Sequence, residues 1–318
     1  MTLFTLNSAG LSPDGKWFSD RWGKDVFWNT AVDRVLIDLQ TRYQHIQVFE
    51  TRPLGRMLVL DDNIQCAEGD EAGYHELLVH TGLCRAEAPR HDGRRVLVIG
   101  GGDGGAAREA LRHADVSRVD LVDIDEGVVA VAREHLPSIW RHPGGGSLDR
   151  DPRLRVLHED GVLFLENGGD DYDLVVVDAS DCIGPGAALY SRRFYEAIRR
   201  RLRPGGAVTV QAGSFWYLPE ALATVHHGLR QVFPRVDVYQ CFTAVYPGGI
   251  WNLAVATLGD DPTEPDDEAI EKLAGLEWYG ADVHRAAFVL PPIARSILKR
   301  MAERAPEELA EVLRELMA

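Results

Sequence analysis

The chain has 318 residues, 49 of them acidic and 34 basic, for a formal net charge of -15. Such a balance disfavours nucleic acid and anionic membranes as partners and leaves room for a cationic ligand. Four scattered cysteines without metal-ligand spacing, no apolar run near the ~18 residues of a membrane span, and no basic-then-apolar N-terminus predict a cytoplasmic protein with no metal site.

Residues 1–30 are aromatic and irregular, and Trp17, Phe18, Trp22, Phe27 and Trp28 read as core or dimer packing. From Ala31 apolar and polar positions alternate, with turn signals at 52–55 and 61–63, which predicts a small antiparallel β-domain over 1–75. A helix should follow from Asp70, its cap, through His80, with Glu71 and His75 four apart on one face.

After a polar break at 89–94 the period changes to strand and helix units. Strands are expected at 95–100, 118–123, 154–158, 174–178, 207–211, 235–241 and 252–257, and helices at 106–113, 127–135 and 191–202. This alternation predicts a doubly wound, Rossmann-like α/β domain of seven mostly parallel strands over 76–318. His113, His135, His142, His226 and His227 are expected on helix surfaces, and 293–317 is expected to be helical.

Gly100, Gly102 and Gly105 fit G-x-G-x-x-G, and Asp123 closes the next strand 18 residues beyond Gly105. A nicotinamide dinucleotide is one reading of that pattern. Asp103 inside the turn would repel a pyrophosphate, however, and the third strand ends at Asp160-Gly161, which suits an adenine amino group. Carboxylates at successive strand ends favour a neutral or cationic nucleoside, such as a sulfonium. At the fourth strand end stand Asp178 and Asp181, either as cap and solvated acid or where open α/β sheets bind small molecules.

The linked stretches TRYQHIQVFE (41–50), GRMLVLDDNIQCAEGDEAGYHE (55–76), VLVIGGGDGG (96–105), VDIDEGVV (122–129), VVVDASDCIGPG (175–186), YPGGIWN (246–252) and HRAAFVLP (284–291) resemble the spermidine synthase family of aminopropyltransferases. The resemblance implies a methyltransferase-type sheet, a homodimer or homotetramer, and no cofactor beyond decarboxylated S-adenosylmethionine as co-substrate. It matches Gln44, Gly100, Gly102, Asp103, Asp123, Asp160, Gly161 and Pro185 to the donor side. It matches Tyr74, His75, Asp181 and Tyr246, with Trp17 as a wall, to the amine acceptor, and Asp178 to the general base. Asp103 would pair the aminopropyl ammonium, whereas S-adenosylmethionine brings a carboxylate that it would repel. Putrescine is the expected acceptor, with agmatine, cadaverine or spermidine as alternatives. An S-adenosylmethionine-dependent N-methyltransferase and a non-catalytic polyamine binder are the other classes weighed. Departures from the family pattern fall at Gly69, Ala72, Gly73, Cys182, Ala187, Ala244 and Val245; small side chains at 72 and 73 would enlarge the acceptor pocket, unless they are packing changes.

Overall fold

The computed structural model describes residues 10–12, 14–22, 26–89, 91, 93–182, 184–304, 309 and 311–312, with the side chains of 184 and 185 excepted. Its first part is antiparallel. Strands β1 (Gly10–Leu11), β2 (Trp17–Trp22) and β3 (Val26–Ala31) form one sheet, so the stretch expected to be irregular is a meander where it is described. A second sheet is the meander β4 (Arg34–Gln40), β5 (His45–Thr51), β6 (Gly55–Leu60) and β7 (Asn63–Ala67). Its last hairpin pairs Leu60 with Asn63 around Asp61 and Asp62, both at positive φ (47° and 62°). A two-residue loop needs that conformation, and aspartate is among the few residues that tolerate it. Phe18, Phe49, Met57 and Ile64 are buried between the two sheets.

Helix α1 (Ala72–Leu83) follows and is buried from Gly73 to Leu83, although His75, Glu76, His80 and Thr81 lie within it. Glu76 is tied down by accepting the backbone N–H groups of Glu277, Trp278 and Tyr279. The helix begins without a side-chain cap, and Asp70 accepts instead from Val245 N at 2.8 Å. The junction expected after residue 75 falls inside α1, which packs on the α/β unit; a division ahead of α1 respects that packing.

The α/β unit runs β8 (Arg94–Gly100), α2 (Gly105–Leu111), β9 (Val116–Val122), α3 (Glu126–His135), β10 (Leu154–Leu157), α4 (Gly161–Asn167), β11 (Tyr172–Asp178), α5 (Arg192–Arg201), β12 (Leu202–Gln211), α6 (Pro219–Arg230), β13 (Arg235–Phe242) and β14 (Ile250–Thr257). Helices α7 (Asp267–Glu271), α8 (Ala281–Ala287) and α9 (Pro292–Ala302) close the described chain; of the helix expected over 293–317, what lies beyond Ala302 is largely outside the described residues. Seven strands form one sheet in the order β10-β9-β8-β11-β12-β14-β13, parallel except for β14, which is antiparallel to both neighbours. Side chains alternate across it: Val96 and Val98 face one apolar layer with α1, while Leu97 and Ile99 face the other with α5 and α6. After β8 the chain turns to β9 and β10 on one side and later returns to β11 on the other. That reversal opens a crevice at the carboxyl ends of β8 and β11, where Gly100 and Asp178 stand in register.

His113 departs from expectation. It is buried, with Nε2 3.0 Å from His80 Nδ1, because α2 ends against α1 and not against solvent. Helix α4, whose seven residues follow Asp160 directly, was not among the expected helices.

Candidate active site

The crevice is a cavity of about 440 Å³, within the ordinary size for a small-molecule site. Gln44, Gly100, Gly102, Asp103, Asp123, Asp160, Gly161, Tyr74, His75, Asp178, Asp181 and Tyr246 all line it. Trp17 does not. It starts β2 at 40% exposure, whereas Trp22, five positions along the same strand and hence on its opposite face, lines the cavity. The Pro185 side chain lies outside the described set.

The glycine turn acts here by letting functional side chains close in. Gly100, at φ +77°, is pressed against the Asp178 carbonyl, which accepts from Gly101 N at 2.6 Å. A Cβ at Gly102 would stand 2.6 Å from Asp123 Oδ2, and one at Gly105 would enter the His75 ring. Asp123, just past β9, accepts from Asp125 N at 2.9 Å, yet burial pushes its carboxyl up to about 6. Asp125 caps α3 and binds Gln44 Nε2 (3.0 Å) and Thr41 Oγ1 (2.7 Å), which fastens the first β unit over this side of the cavity. Asp160 caps α4, taking the N–H groups of Val162 (2.8 Å) and Leu163 (3.1 Å) on Oδ1 alone.

Across the cavity, Tyr74 Oη donates to Asp178 Oδ1 at 2.7 Å. Asp178 Oδ2 is buried and accepts no hydrogen bond. Burial, with the Asp103 charge beside it, pushes the Asp178 carboxyl up to about 6 against the opposing pull of His75 and Tyr74. Asp181, held by Gln211 Nε2 at 3.3 Å, is pushed by burial to about 6. The wall between them is aromatic: Tyr74 meets Tyr246 edge-on at 6.4 Å, Tyr246 meets Trp251 at 4.4 Å, and Trp251 meets Trp22 edge-on at 5.5 Å. Behind Trp22, Asp20 takes its indole N–H at 3.0 Å and is pushed by burial to about 7.

Asp103 accepts from Gly105 N at 2.7 Å. Burial works against its charge, but the His75 ring and that N–H hold its carboxyl below the usual range. His75 presents Nδ1 to Glu71 at 2.6 Å and Nε2 to Asp103 at 3.4 Å. His75, Asp103 and Asp178 stand near enough to one another to share a cation, with Nδ1 of the ring already engaged by Glu71. His80, Cys84 and His113 also cluster, but the facing nitrogens of the two imidazoles bond each other and the outer ones meet Glu109 and Arg94. The lining thus sets six aspartates, Asp61, Asp103, Asp123, Asp160, Asp178 and Asp181, against Arg21 and His75. It is a place for cations.

Trp22 was read from the sequence as packing, and Gln211 and Trp251 were not named as site residues, yet all three line the cavity. Gln211 carried a signal, being a polar residue at the end of an apolar strand as Asp178 is. Neither Ala72 nor Gly73 lines the cavity: a Cβ at Gly73 would strike the Phe242 carbonyl, so the small residue there is a packing choice. Gly69 likewise sits against the Leu54 backbone, and Cys182 is buried with Sγ 4.0 Å from the Ala221 carbonyl.

Residues 71–262 match the family model of the spermine/spermidine synthase domain, and residues 16–68 that of the spermidine synthase tetramerisation domain. The chain belongs to the spermine/spermidine synthase family. A polyamine aminopropyltransferase of Bacillus subtilis is 34% identical over 283 residues, covering 89% of this chain and 99% of that protein. One of Caldicellulosiruptor saccharolyticus is 32% identical over the same share of this chain and 98% of its own. Among solved structures, a spermidine synthase in complex with the transition state analogue AdoDATO superposes with a TM-score of 0.83 at 29% identity, over 93% of this chain and 99% of that one. The Thermotoga maritima spermidine synthase does so at 0.82 and 29%, over 94% and 100%. Family membership makes the chain an enzyme with the methyltransferase-like sheet described above.

Proposed function

We propose that this enzyme transfers the aminopropyl group of decarboxylated S-adenosylmethionine to putrescine, giving spermidine and methylthioadenosine. The observation that carries the reading is Asp178: a cavity-lining carboxylate with Oδ1 fixed by Tyr74 and a buried Oδ2 that accepts no hydrogen bond. An alkylamine with a pKa near ~10 arrives protonated and has no lone pair to attack with. The Asp178 carboxylate takes that proton as water is excluded, and Tyr74 keeps it oriented. The freed lone pair forms a C–N bond to the methylene beside the sulfonium. The C–S bond breaks, its electron pair stays on sulfur, and a neutral thioether leaves.

On the donor side Asp123 meets the ribose hydroxyls, Asp160 and Gly161 the adenine edge, and Asp103 the aminopropyl ammonium. Gln44 closes over them from the β unit. Asp181 holds the far ammonium of the acceptor, and the Tyr246, Trp251 and Trp22 rings line its methylene chain. The tetramerisation-domain match supports a homo-oligomer of two or four chains. Four buried free cysteines support a reducing, cytoplasmic setting, and no helix among the described residues is long and apolar enough to cross a membrane.

The test is a panel. Purified protein receives decarboxylated S-adenosylmethionine with putrescine, agmatine, cadaverine or spermidine, and S-adenosylmethionine in parallel. The expected result is transfer with preference for putrescine. Preference for another amine overturns the acceptor, and methyl transfer from S-adenosylmethionine overturns the reaction.

A further inference from the structure

His75 stands among more charge than a binding residue needs. From its own helix, Glu71 Oε2 lies 2.6 Å from Nδ1, and Asp70 adds a second, more distant carboxylate. From the glycine turn, Asp103 Oδ1 lies 3.4 Å from Nε2, and from the end of β11 Asp178 Oδ2 lies 3.8 Å away. The Tyr74 ring stands edge-on at 5.1 Å, and the buried Cys66 thiol of β7 feels the charge of the same group of acids. His75 is 1% exposed and Glu71 9%, so water screens little of this.

Glu71 is in turn clamped. Arg108 NH1 donates to Oε1 at 2.8 Å and NH2 to Oε2 at 2.7 Å, the two-pronged fit that fixes a carboxylate in one orientation. Arg108 cannot swing away, because its Nε donates to Glu109 Oε1 at 2.6 Å. Glu109 is itself held at Oε2 by Arg112 and, at 3.0 Å, by His80 Nε2. A buried row therefore runs from α2 into the cavity, alternating in sign: Arg108, Glu71, His75, then Asp103 and Asp178.

We propose that Glu71, clamped by Arg108, is a positioning residue that keeps His75 an imidazolium, and that this buried cation lets Asp103 and Asp178 both stand ionised in the empty site. Two carboxylates around one site share a proton unless a cation intervenes. A neutral His75 would offer Nε2 either as an acceptor to carboxylates that also accept, or as a donor with Nδ1 accepting against Glu71. Only the doubly protonated ring satisfies both sides. In agreement, burial pushes the ring toward its neutral form, yet Asp103 and Glu71 outweigh it and hold its pKa well above the ordinary value. The inference rests on aminopropyl transfer only for the use made of Asp103 and Asp178.

Nitrogen-15 spectra of the imidazoles test it on the wild-type protein without donor or acceptor, so the outcome is independent of the reaction assigned above. The His75 signals are identified by their loss in His75→Gln. At about pH 8 an imidazole of ordinary pKa, ~6.5, is almost wholly neutral. His75 is expected to show two protonated nitrogens there; one unprotonated nitrogen overturns the proposal. In Glu71→Gln, which keeps shape and removes charge, the acid limb of kcat/KM should move up by about one pH unit as Asp178 loses its cation. Arg108→Lys, which keeps the charge, should move it less. A folded Glu71→Gln enzyme with its acid limb unmoved, at whatever rate, also overturns the proposal. If that variant does not fold, the wild-type spectrum decides alone.

Discussion

Asp178→Asn separates the chemistry of this carboxyl from its cost to the fold. The group is 9% exposed and its pKa stands at about 6, roughly two units above the ordinary 3.8. At ~1.4 kcal/mol per unit, ionising it in the empty site costs about 3 kcal/mol. Since the folded-state pKa lies above the unfolded one, that cost is present above about pH 6 and disappears as pH falls through 6 toward the unfolded value. Asparagine has the same shape, can still accept from Tyr74, and carries no charge. The variant should therefore be more stable than wild type at neutral pH, by roughly 3–6 °C in Tm for a chain of this size. The difference should close near pH 4. Activity should go the other way. An amide has no basic lone pair for the acceptor's proton, and its NH2 group would face an ammonium, so kcat should fall by roughly 10² or more. Thermal scans of both proteins across pH, with initial rates on putrescine, read the two effects separately. A variant within tenfold of wild-type activity would remove Asp178 from the role of base. A variant that loses activity and also melts lower at neutral pH would make Asp178 a structural residue, and the reasoning about its charge would be wrong.

Tyr74→Phe removes the one hydrogen bond that Asp178 Oδ1 accepts, so kcat should fall about tenfold and the acid limb of the rate profile should move up; an unchanged profile would show that Tyr74 is only a wall. Asp103→Asn should lower kcat/KM for decarboxylated S-adenosylmethionine by roughly 10² and narrow the gap to S-adenosylmethionine binding, read by competition titration; an unaltered ratio would deny Asp103 its part in donor choice. Near pH 6, Asp178 and Asp181 are each about half protonated in the empty site, so a diamine binding beside methylthioadenosine should expel about one proton. Calorimetry in two buffers of unlike ionisation enthalpy measures that release, and equal heats would contradict it.

What the sequence disclosed and what it withheld divide along physical lines. Asp178 was legible because a parallel strand buried on both faces reads as an unbroken apolar run, so the residue that ends it marks the ligand edge of the sheet. Asp123 and Asp160 followed the same rule, and the glycine pattern placed the turn that stands between Asp123 and Asp178. The aromatic wall was not legible: choosing Trp22 over Trp17 requires knowing which face of β2 turns inward, and the pairing of β2 with β3 sets that only in three dimensions. The burial of His113 depended on how α2 meets α1, a contact between residues 33 apart. Glu71 was seen beside His75, four residues away, but not as the partner of Arg108, 37 residues on. Long-range pairs of charge leave no local period to read.

The overall charge of -15 pointed toward cations only loosely. The stronger statement is local. A cavity lined by six aspartates, with His75 as its one buried cation, holds carboxylates at strand ends where a fold selected for stability alone would place neutral groups. Asp123, Asp178 and Asp181 are all pushed to about 6 by that confinement. In the proposed reaction a sulfonium, an aminopropyl ammonium and a diamine would supply the missing positive charge in the same small volume. Substrate binding would then complete the electrostatics of the fold as well as start the proposed reaction. On the same ground Asp178 takes its place in the proposed mechanism: without a ligand its ionisation is costly, and an arriving ammonium would stabilise that charge where a proton has to move.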